Sequence, residues 1–184
     1  KRRLIKSPPA LARGVANTFL LEIGTEELPA DFVRSALQQL ERRVRSDLKE
    51  LRLEHGSLSV SGTPRRLLVQ ISDLIDSQPD LEEDRKGPPV SQALVDGQPG
   101  PAAVGFAKRC GVDPAELESR DTPKGPCLFA RVCTPGQESA VLLQDFIPQW
   151  IDGLQGRRFM RWGSGEQRFS RPVRWLVALL GDAL

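Results

Sequence analysis

One histidine, three cysteines and no long apolar run mark what this 184-residue chain lacks. Cys110, Cys127 and Cys133 are odd in number and not in metal-ligand spacing. With His55 as the sole histidine, a Cys/His zinc site is excluded. Unpaired cysteines fit a reduced, intracellular compartment. No apolar stretch approaches the length needed to cross a bilayer, so no membrane role is expected. The formal net charge is only +2, so any nucleic-acid role has to come from local basic patches. There is no GxxxxGK[ST] loop, GxGxxG fingerprint, GxSxG elbow or HExxH helix. Glu26 and Glu27 are adjacent, and neighbours in an extended chain point to opposite faces, so they make no acid/base pair by themselves. No catalytic and no metal-binding residue is assigned.

What is present suits a globular protein: 39% hydrophobic and 27% charged residues, with 15 prolines and 16 glycines to make turns. Residues 1–17 are basic and contain Pro8-Pro9. They are expected to be a flexible linker, leader or artefact. Thr18–Ile23 alternates and predicts a strand. Asp31–Leu53 predicts a helix, with Val33, Leu37, Leu40, Val44, Leu48 and Leu51 on one face and Arg42, Arg43 and Arg45 on a solvated face. Asp31 is placed to cap its first turn. Leu58–Val60 and Leu67–Ile71 predict an antiparallel pair around a turn at Gly62 and Pro64.

Residues 77–100 are polar and broken by proline, which predicts a loop or extended arm and a possible boundary between two subdomains. Glu82, Glu83 and Asp84 read as a solvated charge run. Pro101–Cys110 predicts a helix stopped by Gly111, and Asp113–Leu117 a short turn. Leu128–Cys133 reads as a strand beyond a hairpin tip at Lys124-Gly125. A second amphipathic helix is expected near 138–154, with a kink or restart at Pro148. Val173–Leu180 reads as a buried strand, and its place at the end of the chain suggests a fragment of something longer. Together these predict an α+β fold: mixed, largely antiparallel sheet or sheets packed by two main amphipathic helices.

The stretch Gln155–Trp175 sets Arg157, Arg158, Arg161, Arg168, Arg171 and Arg174 against one acid, Glu166. Phe159, Trp162, Phe169 and Trp175 are threaded among them. Arginine forks suit phosphate, and aromatic faces stack on bases. The stretch therefore reads as an RNA contact. It reads equally well as a core of aromatics with a solvated arginine rim.

Several motifs carry a resemblance: FLLEIGTEELPADF at Phe19–Phe32, SGTPRRL at Ser61–Leu67, RKGPPV at Arg85–Val90, GFAKRCGV at Gly105–Val112 and FMRWGSGEQRFSRPVRWLVALLG at Phe159–Gly181. In this order they resemble the N-terminal region of the bacterial-type glycyl-tRNA synthetase β subunit, in cyanobacterial or plastid-like wording. The resemblance covers nearly everything from Thr18 onward. It implies a ligase that joins glycine to tRNA(Gly) with ATP and Mg²⁺. In that family the α subunit carries the aminoacylation site, and the β subunit assists tRNA recognition and holds an α2β2 assembly together. It implies a cytoplasmic protein, or a plastid one if the source is a photosynthetic eukaryote. This region would bind no cofactor itself and be inactive alone. Expected RNA contacts are Arg157, Arg158, Arg161, Arg168 and Arg171, with Arg65 and Arg66 second. The rival role is assembly, with arginines fixed by Glu26 or Glu27 as packing devices.

Overall fold

The computed structural model describes residues 16–95, 98–123 and 125–181. In chain order the elements are strand β1 (Ala16–Thr25), helix α1 (Ala30–Glu50), strands β2 (Leu58–Thr63), β3 (Arg66–Ile75) and β4 (Leu81–Pro89), then the short helix α2 (Val90–Ala93). Strands β5 (Leu94–Val95) and β6 (Gln98–Pro99), helix α3 (Pro101–Cys110), a 3-10 turn (Pro114–Glu116) and strands β7 (Glu118–Thr122) and β8 (Gly125–Thr134) follow. The chain then enters helix α4 (Ser139–Asp152) and strands β9 (Met160–Arg161), β10 (Arg168–Phe169) and β11 (Val173–Leu180). This is an α+β fold whose strand pairings are all antiparallel among the described residues. It forms two compact units. The first takes the described residues up to Gln78 and from Gln137 onward; the second is Pro79–Gly136.

The first unit is a four-stranded sheet in the order β11-β1-β3-β2. Phe19, Leu21 and Ile23 of β1 and Leu67, Val69 and Ile71 of β3 are buried on one face, as period-two alternation dictates. Phe32, Ala36, Leu40, Val44 and Leu48 of α1 cover them. Phe32 and Ala36 belong to this stripe although periodicity alone did not pick them out. Val33, Leu37 and Leu51 are partly buried at its edge. Pro29 stands at the N-cap position of α1, and the Asp31 carboxylate accepts from the Phe32 amide at 2.9 Å within the first turn.

Helix α4 joins the same layer. Its start is tied to the end of β3: Ser139 N donates to Asp76 O at 2.7 Å and Ser139 Oγ to Ile75 O at 2.5 Å. Trp150, fully buried, meets Phe19 edge-on with centroids 6.2 Å apart, and its Nε1 donates to Asp47 Oδ2 of α1 at 2.7 Å. The restart expected at Pro148 does not occur, and α4 is one helix with that proline inside it. Proline lacks only one donor, and the packing of Leu142, Leu143, Trp150 and Ile151 on both sides of it holds the helix together.

The second unit is a three-stranded sheet, β4-β8-β7, with α2 and α3 and the β5-β6 ladder. Ala93, Ala103 and Leu128 form its small core. Of the loop or extended arm expected over 77–100, Leu81–Pro89 is extended and is a strand, paired with β8 from Leu81↔Thr134 to Pro89↔Cys127. Its side chains are mostly exposed, so no hydrophobic alternation announced it; the partner strand imposes the extended backbone. Gly111 closes α3 in the left-handed conformation (φ 69°), as expected. Lys124, read as a hairpin tip, lies outside the described residues. So does most of the expected basic leader, since β1 begins at Ala16.

One further correction concerns β11. It is a strand, but at the edge of its sheet, and Trp175 is 41% and Leu176 53% exposed. An apolar run reads the same whether it lies in the middle of a sheet or at its rim; only pairing on one side separates the two.

Candidate nucleic-acid interface

Three of the sequence motifs converge at one end of the four-stranded sheet. Thr25 N donates to Arg65 O at 3.0 Å, Leu28 N to Pro64 O at 2.6 Å and Glu26 N to Pro172 O at 3.1 Å. These bonds bring GTEELP, the β2-β3 turn and the RPVRW segment together. Their side chains pair acid with base: Arg65–Glu27 at 3.2 Å, Arg66–Glu22 at 3.3 Å and Arg174–Glu26 at 3.5 Å. Trp175 Nε1 donates to Glu22 Oε1 at 2.7 Å, and the Arg66 guanidinium stands 6.0 Å from the Trp175 ring centroid. The indole lies directly on Gly24, where a Cβ would fall 1.9 Å from Cε2. Any side chain at position 24 would displace the ring. Arg65 and Arg66 are thus engaged by carboxylates. Exposed pairs of this kind contribute little stability, and they leave the local charge nearly balanced.

The arginines after α4 are placed differently. Gln39 of α1 holds the segment: its Nε2 donates to Gln155 O and its Oε1 accepts from Gln155 N, both at 2.9 Å. Beyond it Arg157 borders an open cleft of about 500 Å³ with Ser35, Gln38, Gln39 and Arg42 of α1. Among the described residues no carboxylate lines this cleft. Arg158 follows with φ 63°, an uncommon left-handed conformation for a residue with a side chain. In the β9-β10 ladder Arg161 stands directly across from Arg168. Two like charges opposite each other repel, and only Arg161 has a carboxylate, Glu166 at 3.2 Å, itself 82% exposed. Arg171 is half-buried and donates to Ser170 O at 3.0 Å. Among the described residues Arg42, Arg157, Arg158 and Arg168 have no ion pair.

The aromatics interleaved with these arginines face inward. Phe32 meets Phe159 and Phe169 edge to face, and those two rings are tilted 37° to each other, with all three centroid distances 5.3–5.7 Å. Trp162 Nε1 donates to Phe169 O at 3.0 Å. Of the two readings of this stretch, the rings are core and the arginines are rim, with Trp175 the exposed exception. The solvated face assigned to α1 also needs correction at Arg43, whose guanidinium donates to Gln149 O at 2.8 Å near the end of α4. Carbonyls in the last turn of a helix attract cations, and Gln149 O accepts this guanidinium as well as the Gly153 amide. The buried Trp150 was the available signal, because its N–H needs an acceptor and Asp47 lies on that side of α1.

In the second unit Asp84 pairs with Arg120, and with Arg131 at 3.7 Å. The hydrogen bond from Arg120 holds the Asp84 carboxyl below its ordinary value; partial desolvation opposes it, and the charges of both arginines add to the lowering. Glu118 also takes Arg120, at 2.7 Å. Among the described residues no three His, Cys, Asp or Glu side chains stand close enough to hold a metal ion, and no helix is long and apolar enough to cross a membrane.

Antiparallel sheets packed by helices, with an arginine rim over an aromatic cluster in the first unit, define an α+β module. Residues 19–184 match the family described as Glycyl-tRNA synthetase beta subunit, and the chain belongs to that family. Among curated relatives, the glycine–tRNA ligase β subunit of Synechocystis sp. is 54% identical over 165 residues, covering 90% of this chain and 23% of the relative. That of Acaryochloris marina is 52% identical over 167 residues, 91% of this chain and 24% of the relative. That of Desulforamulus reducens is 41% identical over 171 residues, 92% of this chain and 25% of the relative. The chain therefore spans about a quarter of the length of the relatives it matches.

Proposed function

We propose that this chain is a non-catalytic part of glycyl-tRNA synthetase that supports ATP-dependent attachment of glycine to tRNA(Gly). Its work is to hold RNA backbone and to join the β subunit to the α subunit in an α2β2 assembly. The observation that carries the reading is the Arg42–Arg157 cleft, with no carboxylate among its described lining residues; Arg161 and Arg168 also face each other, with Asp152 and Glu166 bordering the pocket that Arg168 lines. An arriving phosphate relieves that repulsion and meets planar donor forks. Such contacts position RNA without reading its sequence. Arg157, Arg158 and Arg168 are the leading contacts and Arg161 joins them by exchanging Glu166 for phosphate. Arg65 and Arg66, each paired with a glutamate, and Arg171, which donates to Ser170 O, rank behind them.

ATP and Mg²⁺ enter this reading only as reactants of the whole ligase. The described residues offer no metal-ligand group, and no step is routed through this chain. The test pairs two assays. The 184-residue chain alone should neither activate glycine nor charge tRNA, and its binding to tRNA at low salt should weaken when Arg157, Arg158 and Arg168 are changed together to Ala. Charging by the chain alone, or unchanged affinity in that variant, would defeat the reading.

One observation favours a second role, as a purely structural protein-binding domain. The edge strand β11, paired only with β1 among the described residues, exposes Val173, Trp175 and Leu176. Capture of α by the chain with no RNA shift at low salt would decide for it.

A further inference from the structure

Two motifs take no part in the surface above: RKGPPV and GFAKRCGV. In the second unit they meet. Phe106 of α3, only 6% exposed, lies against Gly87 of β4, where a Cβ would stand 2.5 Å from its ring. That contact sets the last turn of α3 beside the end of β4. Between them opens a cleft of about 540 Å³ bordered by Arg85, Lys86, Pro88, Arg109 and Cys110. No carboxylate borders it. Arg85 lines the cleft two residues before Gly87, where β4 leaves its regular register with β8 between Lys86 and Pro89. Arg109 is exposed in the last turn of α3.

Arg120 and Arg131 of the same sheet hold Asp84, whereas Lys86, which also borders the cleft, has no ion pair among the described residues. Arg85 and Arg109 have no ion pair or hydrogen bond among the described residues. The carbonyls ending α3 account for a cation at Arg109, but they give no reason for Arg85 on the neighbouring strand. We propose that this cleft is a second RNA anchor, which seats one backbone phosphodiester between the Arg85 and Arg109 guanidinium groups. The inference rests on the RNA-binding reading given above. With Phe106 buried, the cleft offers no open ring for a base, so it would grip backbone regardless of sequence.

The experiment measures tRNA affinity of the 184-residue chain over a range of salt for wild type, Arg85→Ala/Arg109→Ala and Arg85→Lys/Arg109→Lys. The alanine pair should bind on the order of tenfold more weakly at low salt, with a salt slope smaller by about one. The lysine pair should keep the slope, and it guards against a folding defect. Wild-type binding that neither pair alters overturns this anchor and leaves the proposed function standing. No RNA binding by wild type overturns both. Loss of binding to an acidic polypeptide or to inorganic phosphate, with RNA affinity intact, also overturns it.

Discussion

Replacing Gly24 with Ala tests how the GTEELP and RPVRW segments are locked together. The new Cβ would lie 1.9 Å from the Trp175 ring, so the indole has to leave the sheet face and give up its bond to Glu22. Trp175 is 41% exposed, so roughly three-fifths of its surface is covered. For an aromatic side chain that is about 100–150 Å². At ~25 cal/mol per Å² the loss is about 2.5–4 kcal/mol. Alanine in a strand recovers about 0.5–1 kcal/mol over glycine, and a compact unfolded chain lowers the total further. The expected net destabilisation is about 2 kcal/mol, read from urea unfolding followed by circular dichroism. In a Trp175→Ala background the clash is gone, and Gly24→Ala should be neutral or mildly stabilising. An equal cost in both backgrounds would refute the packing argument, because the cycle isolates the 24–175 contact.

Four other outcomes follow from the same geometry. Asp47→Ala strips the acceptor from the buried Trp150 N–H and should cost about 1–3 kcal/mol in urea unfolding, whereas Asp47→Asn, which keeps an acceptor, should cost less. Arg158→Gly removes a charge and also a left-handed side-chain conformation worth ~1 kcal/mol, so the variant should bind RNA less well while its melting temperature holds or rises. Arg65→Ala breaks only an exposed pair and should change stability by less than about 1 kcal/mol. The Asp84 carboxyl is lowered from 3.8 in the fold, chiefly by Arg120, so its contribution is complete above that value. It is lost as pH falls through the lowered value, and Arg120→Ala should flatten acid unfolding of the wild type in that window.

Elements with a strong period were readable from the residues. Phe19, Leu21 and Ile23 alternate into β1, and Leu40, Val44 and Leu48 recur along α1, because one buried face repeats with the geometry of each element. Strand β4 was not readable, since Glu82–Lys86 is exposed and owes its extension to pairing with β8. The apolar content of β11 was plain, but its edge position was not, because nothing local tells how many neighbours a strand has. Which arginines are free was least accessible. Arg66 meets Glu22, and Arg174 meets Glu26 across most of the chain's length, only after the sheet has assembled. The inward-facing rings were equally hidden, because Phe159 and Phe169 find Phe32 only through the tertiary fold.

The most direct measurement compares the salt dependence of tRNA binding by two triple-alanine variants. One changes the unpaired Arg157, Arg158 and Arg168; the other changes Arg65, Arg66 and Arg174, each held by a glutamate. If unpaired arginines hold the phosphates, the first variant's slope of log affinity against log salt shrinks by roughly one per lost contact and the second variant keeps the wild-type slope. Equal slopes in the two variants, or a larger loss in the second, would contradict the account.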